Sequence, residues 1–173
     1  MKLNYVYLRP AHLVTFREVG PYTQAAPEAW RKMFDWLDVQ HLRGRVKRGF
    51  GLAHDDPRLM APEKCRYEAC IDLPDLLPAY AWEGLMPQSL PGGAYARYRH
   101  VGEHHEISGV ISMIRNTWCN SEGVMLAPKR PLVEIYLDDP KFCEPDKLRT
   151  DLCLPVAFVD QLNPIAVRLA DDV

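Results

Sequence analysis

The chain has 173 residues, 47% of them hydrophobic and 25% charged, with a formal net charge of −2. That is enough chain for a continuous core; the apolar content excludes intrinsic disorder, and the near-neutral balance leaves no electrostatic footprint for DNA or an anionic membrane. No apolar stretch approaches the ~20 residues that span a bilayer, and Met1-Lys2-Leu3-Asn4-Tyr5 lacks the pattern of a signal peptide.

His12 to Val19 is rich in β-formers and is stopped by Gly20-Pro21, which predicts a strand. A helix is expected from about Pro27, a favoured first-turn residue followed by Glu28. Trp30, Met33, Phe34 and Leu37 fall at i, i+3, i+4 and i+7, the buried stripe of such a helix, and Gly44 closes the region. The densest basic run, Arg43 to Arg48, reads as a solvated loop. Lys47 to Ala53 and Arg66 to Leu73 read as two more strands, separated by a loop carrying Asp55-Asp56-Pro57 and Pro62. The first unit is thus β-α-β-β.

Pro74 to Gly93 is a connection with Pro74, Pro78, Pro87, Pro91 and Gly92-Gly93, long enough to be functional in a compact domain. Its Tyr80 and Trp82 either cover a cleft or anchor the linker on the sheet. Ala94 to Val101 is then a strand, Ile107, Val110, Ile111, Ile114 and Trp118 make a helical stripe, and Pro131 to Leu137 and Leu148 to Leu154 close the second unit. Ala157 to Val173 is expected to add an edge strand or a contact with a second subunit.

Residues repeat as well as elements. Phe16-Arg17-Glu18-Val19-Gly20 returns as Tyr98-Arg99-His100-Val101-Gly102, an offset of 82, and Asp55-Asp56-Pro57 returns as Asp138-Asp139-Pro140, an offset of 83. Pro62, Lys64, Arg66 and Cys70 are matched by Pro145, Lys147, Arg149 and Cys153. The helical stripes superpose best at 81, Trp30 on Ile111, whereas Trp36 and Trp118 match literally at 82, which leaves the register of the helices open. The expected fold is therefore α+β: one domain over residues 1–173, in which duplicated β-α-β-β modules with pseudo-twofold symmetry form an antiparallel sheet with two helices. Repeat 1 covers about residues 10–74, a linker about 75–92, repeat 2 about 93–156 and a tail 157–173. The seam between such copies is a natural place for a ligand.

In the last repeat, strand alternation puts Val133, Ile135 and Leu137 on one face and Leu132, Glu134 and Tyr136 on the other. The all-aliphatic set is expected to pack on the helix, leaving Glu134 and Tyr136 on the opposite face. In the matching strand Phe50 and Leu52 stand against Gly49, Gly51 and Ala53, so that second face should be hollow over the glycines, with Glu134 opposite Gly51. A lone ionised carboxylate in an apolar cleft must be protonated, hydrogen-bonded or neutralised by a cation. A guest ammonium against Tyr136 or Tyr98 would add roughly 0.5–2 kcal/mol of cation–π attraction. The alternative is an internal pair with Arg97 or Arg149, and both stay open at this point.

The combination Val19-Gly20-Pro21-Tyr22, Leu90-Pro91-Gly92-Gly93-Ala94-Tyr95-Ala96, Val133-Glu134-Ile135-Tyr136-Leu137-Asp138-Asp139-Pro140 and Leu148-Arg149-Thr150-Asp151 resembles the GyrI-like family over roughly residues 4–156. That family includes effector-binding domains of AraC-type and MerR-type regulators and stand-alone DNA gyrase inhibitors. The resemblance implies a drug-sized central cleft in which a buried glutamate contacts cationic, aromatic ligands. Glu134 holds that position; Tyr136 is carried over with it, and Trp82, Tyr98 and Tyr67 are further ligand-binding candidates. The implied function is capture of a small effector or drug, as part of a transcription regulator or as a stand-alone sequestration protein. Two alternatives use the same chain: a hydrolase that detoxifies cyclopropane-type genotoxins, with Glu134 orienting or deprotonating water, or an inhibitor that engages gyrase. No helix-turn-helix region precedes residue 1, so the expectation is a free-standing binder or an effector domain cut from a longer regulator, monomeric or homodimeric.

Other constellations carry less. The five cysteines, Cys65, Cys70, Cys119, Cys143 and Cys153, are odd in number and form no CxxC pair, which argues against a disulfide framework or zinc site and for the reducing cytoplasm. Cys65 and Cys70, an odd step apart, should point to opposite faces. His100, Glu103, His104, His105 and Glu106 read as an exposed helix entry rather than a metal site, and His12, His41 and His54 lack ligand spacing. GxSxG, Walker A, GxGxxG and HExxH are all absent, so no nucleotide, metal or other cofactor is expected.

Overall fold

The computed structural model describes residues 2–72, 84–117, 124–127 and 129–158. In chain order these form β1 (Asn4–Leu8), β2 (Ala11–Val19), α1 (Tyr22–Val39), β3 (Gly49–Ala53), β4 (Arg66–Ile71), β5 (Met86–Leu90), β6 (Gly93–Val101), α2 (Ile107–Thr117), β7 (Val124–Leu126), β8 (Leu132–Tyr136) and β9 (Arg149–Phe158). The class is α+β, as expected. An antiparallel sheet in the order β1-β6-β9-β8-β3-β4-β2-β5 curls into a half-barrel, with β7 on the far end of β9.

Counting outward from the middle gives β8-β9-β6 on one side and β3-β4-β2 on the other, so the pseudo-twofold runs between β3 and β8. Gly51 and Glu134, equivalent in the two repeats, are direct partners in that central pair, flanked by Gly49 opposite Tyr136 and Ala53 opposite Leu132. Strands that the β-α-β-β reading omits extend the symmetry. β1 pairs with β6 (Leu8 opposite Gly93) and β5 pairs with β2 (Leu90 opposite Ala11), so each repeat lends its leading strand to the other. β5 lies inside the stretch read from sequence as linker; its Pro87 is tolerated because β5 is an edge strand. β2 and β6 both stop at glycines with positive φ, Gly20 at 150° and Gly102 at 145°, a conformation that other residues rarely adopt.

One expectation is corrected. Val133, Ile135, Phe50 and Leu52 do not meet the helices. They form a second core with Leu13, Cys70, Leu90, Tyr95 and Cys153, enclosed by the curl of the sheet itself. The helices cover the other face, where Met33, Leu37 and Ile114 pack with Tyr67, Ala69, Leu132 and Leu152. Glu134 and Tyr136 therefore lie beneath the helices. Alternation alone says only that the two sets face apart, and a curled sheet buries both.

α1 also begins earlier than expected. It starts at Tyr22, directly after Pro21, and Pro27 sits inside it. Pro27 has no N–H for the carbonyl of Thr23, a loss that packing on either side outweighs. The tyrosine hydroxyl of Tyr22 ties this first turn to the β3–β4 loop: it donates to the Asp55 carbonyl at 2.8 Å and accepts from the Asp55 N–H at 2.9 Å.

The two Asp-Asp-Pro loops are built alike. Asp55 accepts from the Arg66 backbone and guanidinium, and Asp138 does the same for Arg149. The second aspartate of each loop reaches the other repeat: Asp139 takes both arms of Arg43 at 2.8 and 2.7 Å, and Asp56 takes one arm of Arg115 at 3.3 Å. Arg43 also lies over the Phe34 ring at 4.2 Å, so the basic run expected as solvated loop contributes one fixed residue. The segment 159–173 and Trp118 lie outside the described residues.

Candidate functional site

Between α1, α2 and the central strands lies a cavity of about 600 Å³, within the range of drug-sized sites. Its floor comes from β3, β4 and β8, which present Tyr67, Glu134 and Tyr136. Glu134 is 5% exposed and Tyr67 1%. Both phenols donate to the same carboxylate oxygen, Oε2: Tyr67 at 2.7 Å and Tyr136 at 2.5 Å, with the two hydroxyl oxygens 3.1 Å apart. Trp30 Nε1 donates to the Tyr67 hydroxyl at 3.1 Å and so extends the chain of donors toward α1.

Glycine makes this arrangement possible. A Cβ on Gly51 would collide with both the Tyr67 hydroxyl and Glu134 Oε2, and one on Gly49 would stand 2.6 Å from the Trp30 ring. The hollow expected over these glycines is thus partly filled, by Trp30, Tyr67 and Glu134 themselves. The open volume lies above them, between the helices.

The internal ion pair is not formed. Arg149 is engaged by Asp138 at 2.7 Å and Arg97 lies 3.6 Å from Asp151, so among the described residues Glu134 has phenols for partners and no cation. Burial pushes the Glu134 carboxyl above its ordinary range, and the hydrogen bonds from Tyr136 and Tyr67 oppose that rise. Burial, reinforced by the charge of Glu134, pushes both phenols well up, so they remain protonated donors.

Aromatic walls surround the floor. Trp30 meets Tyr136 edge-on with centroids 5.0 Å apart and Phe34 at 5.4 Å, while Tyr22 meets Tyr67 at 6.0 Å. His104 packs its ring on Tyr136 at 4.9 Å, and its buried Nε2 has no hydrogen-bond partner among the described residues. Burial and the neighbouring His100 lower the His104 pKa, which favours the neutral ring. The histidine-rich segment is therefore only in part the exposed helix entry expected. Among the described residues no group of three potential metal ligands converges.

Three of the five sequence candidates, Glu134, Tyr136 and Tyr67, meet at one point. Tyr98 packs half-buried at the margin of the helix-side core and does not line the cavity. Trp82, with Tyr80, lies outside the described residues. Sequence reasoning passed over Trp30 and Phe34, read as buried stripe, and over His104 and Arg115. In α1 the fully buried positions are Ala29, Met33 and Leu37, so the aromatic residues beside them are free to face the cavity. Cys65 lines the cavity and Cys70 the opposite core, the divergence their spacing predicts.

A curled antiparallel sheet with twofold-related helices over an aromatic cavity is the architecture of a small-molecule-binding domain. Residues 1–157 match the family described as the GyrI-like small molecule binding domain, and the chain belongs to that family. It is 33% identical over 140 residues (81% of this chain, 83% of the relative) to the probable transcriptional regulator YgiV of Escherichia coli K12. It is 29% identical over 127 residues (73% and 79%) to a DNA gyrase inhibitor of Cronobacter turicensis. Its fold resembles the structure of SAV2435 bound to tetraphenylphosphonium, with a TM-score of 0.61, 15% identity, and coverage of 94% of this chain and 98% of the other. Among the described residues no helix is long and apolar enough to cross a membrane.

Proposed function

We propose that this domain captures apolar, cationic aromatic compounds in the cytoplasm, with Glu134 as the polar anchor and Trp30, Phe34 and Tyr136 as the walls. The observation that carries the reading is a buried carboxylate with two phenol donors and no cation among the described residues, on the floor of an aromatic cavity. A guest cation supplies the missing counter-charge and gains cation–π attraction of roughly 0.5–2 kcal/mol from the walls. Similarity to YgiV and to a gyrase inhibitor supports a role in which capture either signals to transcription or buffers the cell against the compound. The test is calorimetric titration with tetraphenylphosphonium, the compound seen with the structural neighbour, against the wild type and Glu134→Gln. Loss of affinity in the variant supports the reading; equal affinity refutes it. Mass spectrometry of the recovered ligand distinguishes capture from hydrolysis, since capture returns it intact.

A further inference from the structure

The two walls of the cavity differ. α1 presents Trp30 and Phe34, while α2 presents Ser108, Ile111, Ser112 and Arg115. At the offset of 81 that aligns the helices, Ile111 stands where α1 has Trp30 and Arg115 where it has Phe34. An aromatic position in one repeat has become a guanidinium in the other.

That guanidinium is incompletely matched. Asp56, its partner, is already held by the Arg58 guanidinium at 2.7 and 3.1 Å and by the Arg58 N–H at 3.0 Å. Arg115 reaches the same carboxylate through Nη1 alone, at 3.3 Å. Asp55 next to it is occupied by Arg66 at 2.9 Å. Three arginines share two aspartates in this linked cluster, an excess of one positive charge. At the other end of the cavity Arg43 takes both oxygens of Asp139. Arg115 is also sheltered, its side chain 13% exposed against 50% for Arg58. Burial lowers its pKa, the direction expected of a cation short of counter-charge. A guanidinium has five N–H donors in a planar fork suited to a carboxylate, and one is used among the described residues.

We infer that Arg115 is a second polar anchor, and that the guest this cavity selects is amphoteric: a flat aromatic body with a cationic group at Glu134 and a carboxylate or comparable anionic group at Arg115. The inference rests on the cation-capture reading and refines its ligand class. A monopolar cation fills the Glu134 end alone and leaves the excess charge on α2 unanswered.

Rhodamine 110, a zwitterion at pH 7.5, and rhodamine 123, its cationic methyl ester, differ only at the carboxyl group and report binding by fluorescence anisotropy. The wild type should bind the free acid at least tenfold more tightly than the ester. Arg115→Gln should erase that preference by weakening the free acid, and Arg115→Lys should retain part of it. Thermal melts monitor folding; should Arg115→Gln fail to fold, the acid–ester comparison in the wild type and in Arg115→Lys still decides. Equal affinity for the two dyes in the wild type overturns the inference. If Glu134→Gln weakens the ester while acid and ester bind the wild type alike, Arg115 alone is refuted. If Glu134→Gln leaves the ester unaffected, or neither dye binds, the cation-capture reading falls and this one with it.

Discussion

Glu134→Gln separates an anchor for a guest from a merely structural acid. Glutamine keeps the volume and an oxygen that can accept from Tyr67 and Tyr136, so the hydrogen-bonded floor survives while the charge goes. A guest cation ~4 Å from the carboxylate gains about 4 kcal/mol at an effective dielectric near 20. Dehydration of both ions offsets part of that, leaving the roughly 1.5–3 kcal/mol typical of a charged hydrogen bond, or about 10- to 150-fold in affinity. The same substitution should not destabilise the unliganded protein. Because burial raises the Glu134 pKa, the unfolded chain ionises that carboxyl at lower pH than the folded one. Its contribution to stability is full below the unfolded pKa and is lost as pH rises through the folded pKa, so at neutral pH it favours unfolding. Glutamine removes that penalty. The assay is titration calorimetry at pH 7.5 with rhodamine 123, whose cationic N–H group can donate to the carboxylate, with thermal melts of both proteins alongside. An affinity within twofold of the wild type, or a melting temperature several degrees lower, refutes the reasoning.

The pH profile provides a second check: affinity of a permanent cation should fall as pH drops through the pKa of Glu134, level off at about the affinity of Glu134→Gln, and be flat in that variant, as followed by fluorescence or calorimetry from pH 4 to 8. Tyr67→Phe removes a donor to Glu134 and the acceptor for Trp30 Nε1, so urea denaturation should show a loss of about 1–3 kcal/mol. Gly51→Ala should cost about 1–3 kcal/mol of stability by overpacking against the buried Tyr67 hydroxyl and Glu134 carboxylate, and should weaken cation binding as well. Glu68 offers an acid-limb test. Burial would raise its pKa, but hydrogen bonds from His54 and Arg17 outweigh that and hold it at about 2. Its contribution is therefore present above the ordinary glutamate range and lost as pH falls toward 2, and Glu68→Gln should flatten the acid limb of stability against pH.

Much of this architecture is legible because duplication leaves literal matches. Val19-Gly20 and Val101-Gly102 end equivalent strands, and the Asp-Asp-Pro loops recur with their arginines. What is illegible has physical causes. β1 exposes Tyr5 and Tyr7, and β5 holds a proline, so neither reads as a strand until the other repeat provides its neighbour. Which face of β8 meets the helices cannot be read from alternation, because Leu132, Val133, Glu134 and Ile135 are all buried. Trp30 belongs to a helical stripe whichever way it turns. Only the packing of Ala29, Met33 and Leu37 on the sheet decides that its indole rests over Gly49 at the cavity.

The asymmetry of the site follows from where the acid sits. Gly51 and Glu134 are both equivalent residues and direct cross-strand partners, a coincidence confined to positions on the symmetry axis. Directly paired residues have Cβ atoms roughly 4.5–5.5 Å apart on one face. Two glutamates there would bring like charges together in a buried site, and even one extra Cβ collides with the carboxylate already present. An acid in one copy therefore demands the smallest residue in the other. The same partition extends outward: at the repeat offset of 83 Tyr136 corresponds to Ala53 of the other copy and Tyr67 to Thr150, so each phenol that grips Glu134 comes from a different copy. A symmetric pair of modules could hold no such carboxylate at its centre. Divergence between the copies, rather than the fold they share, is what makes one charged floor and two unlike walls.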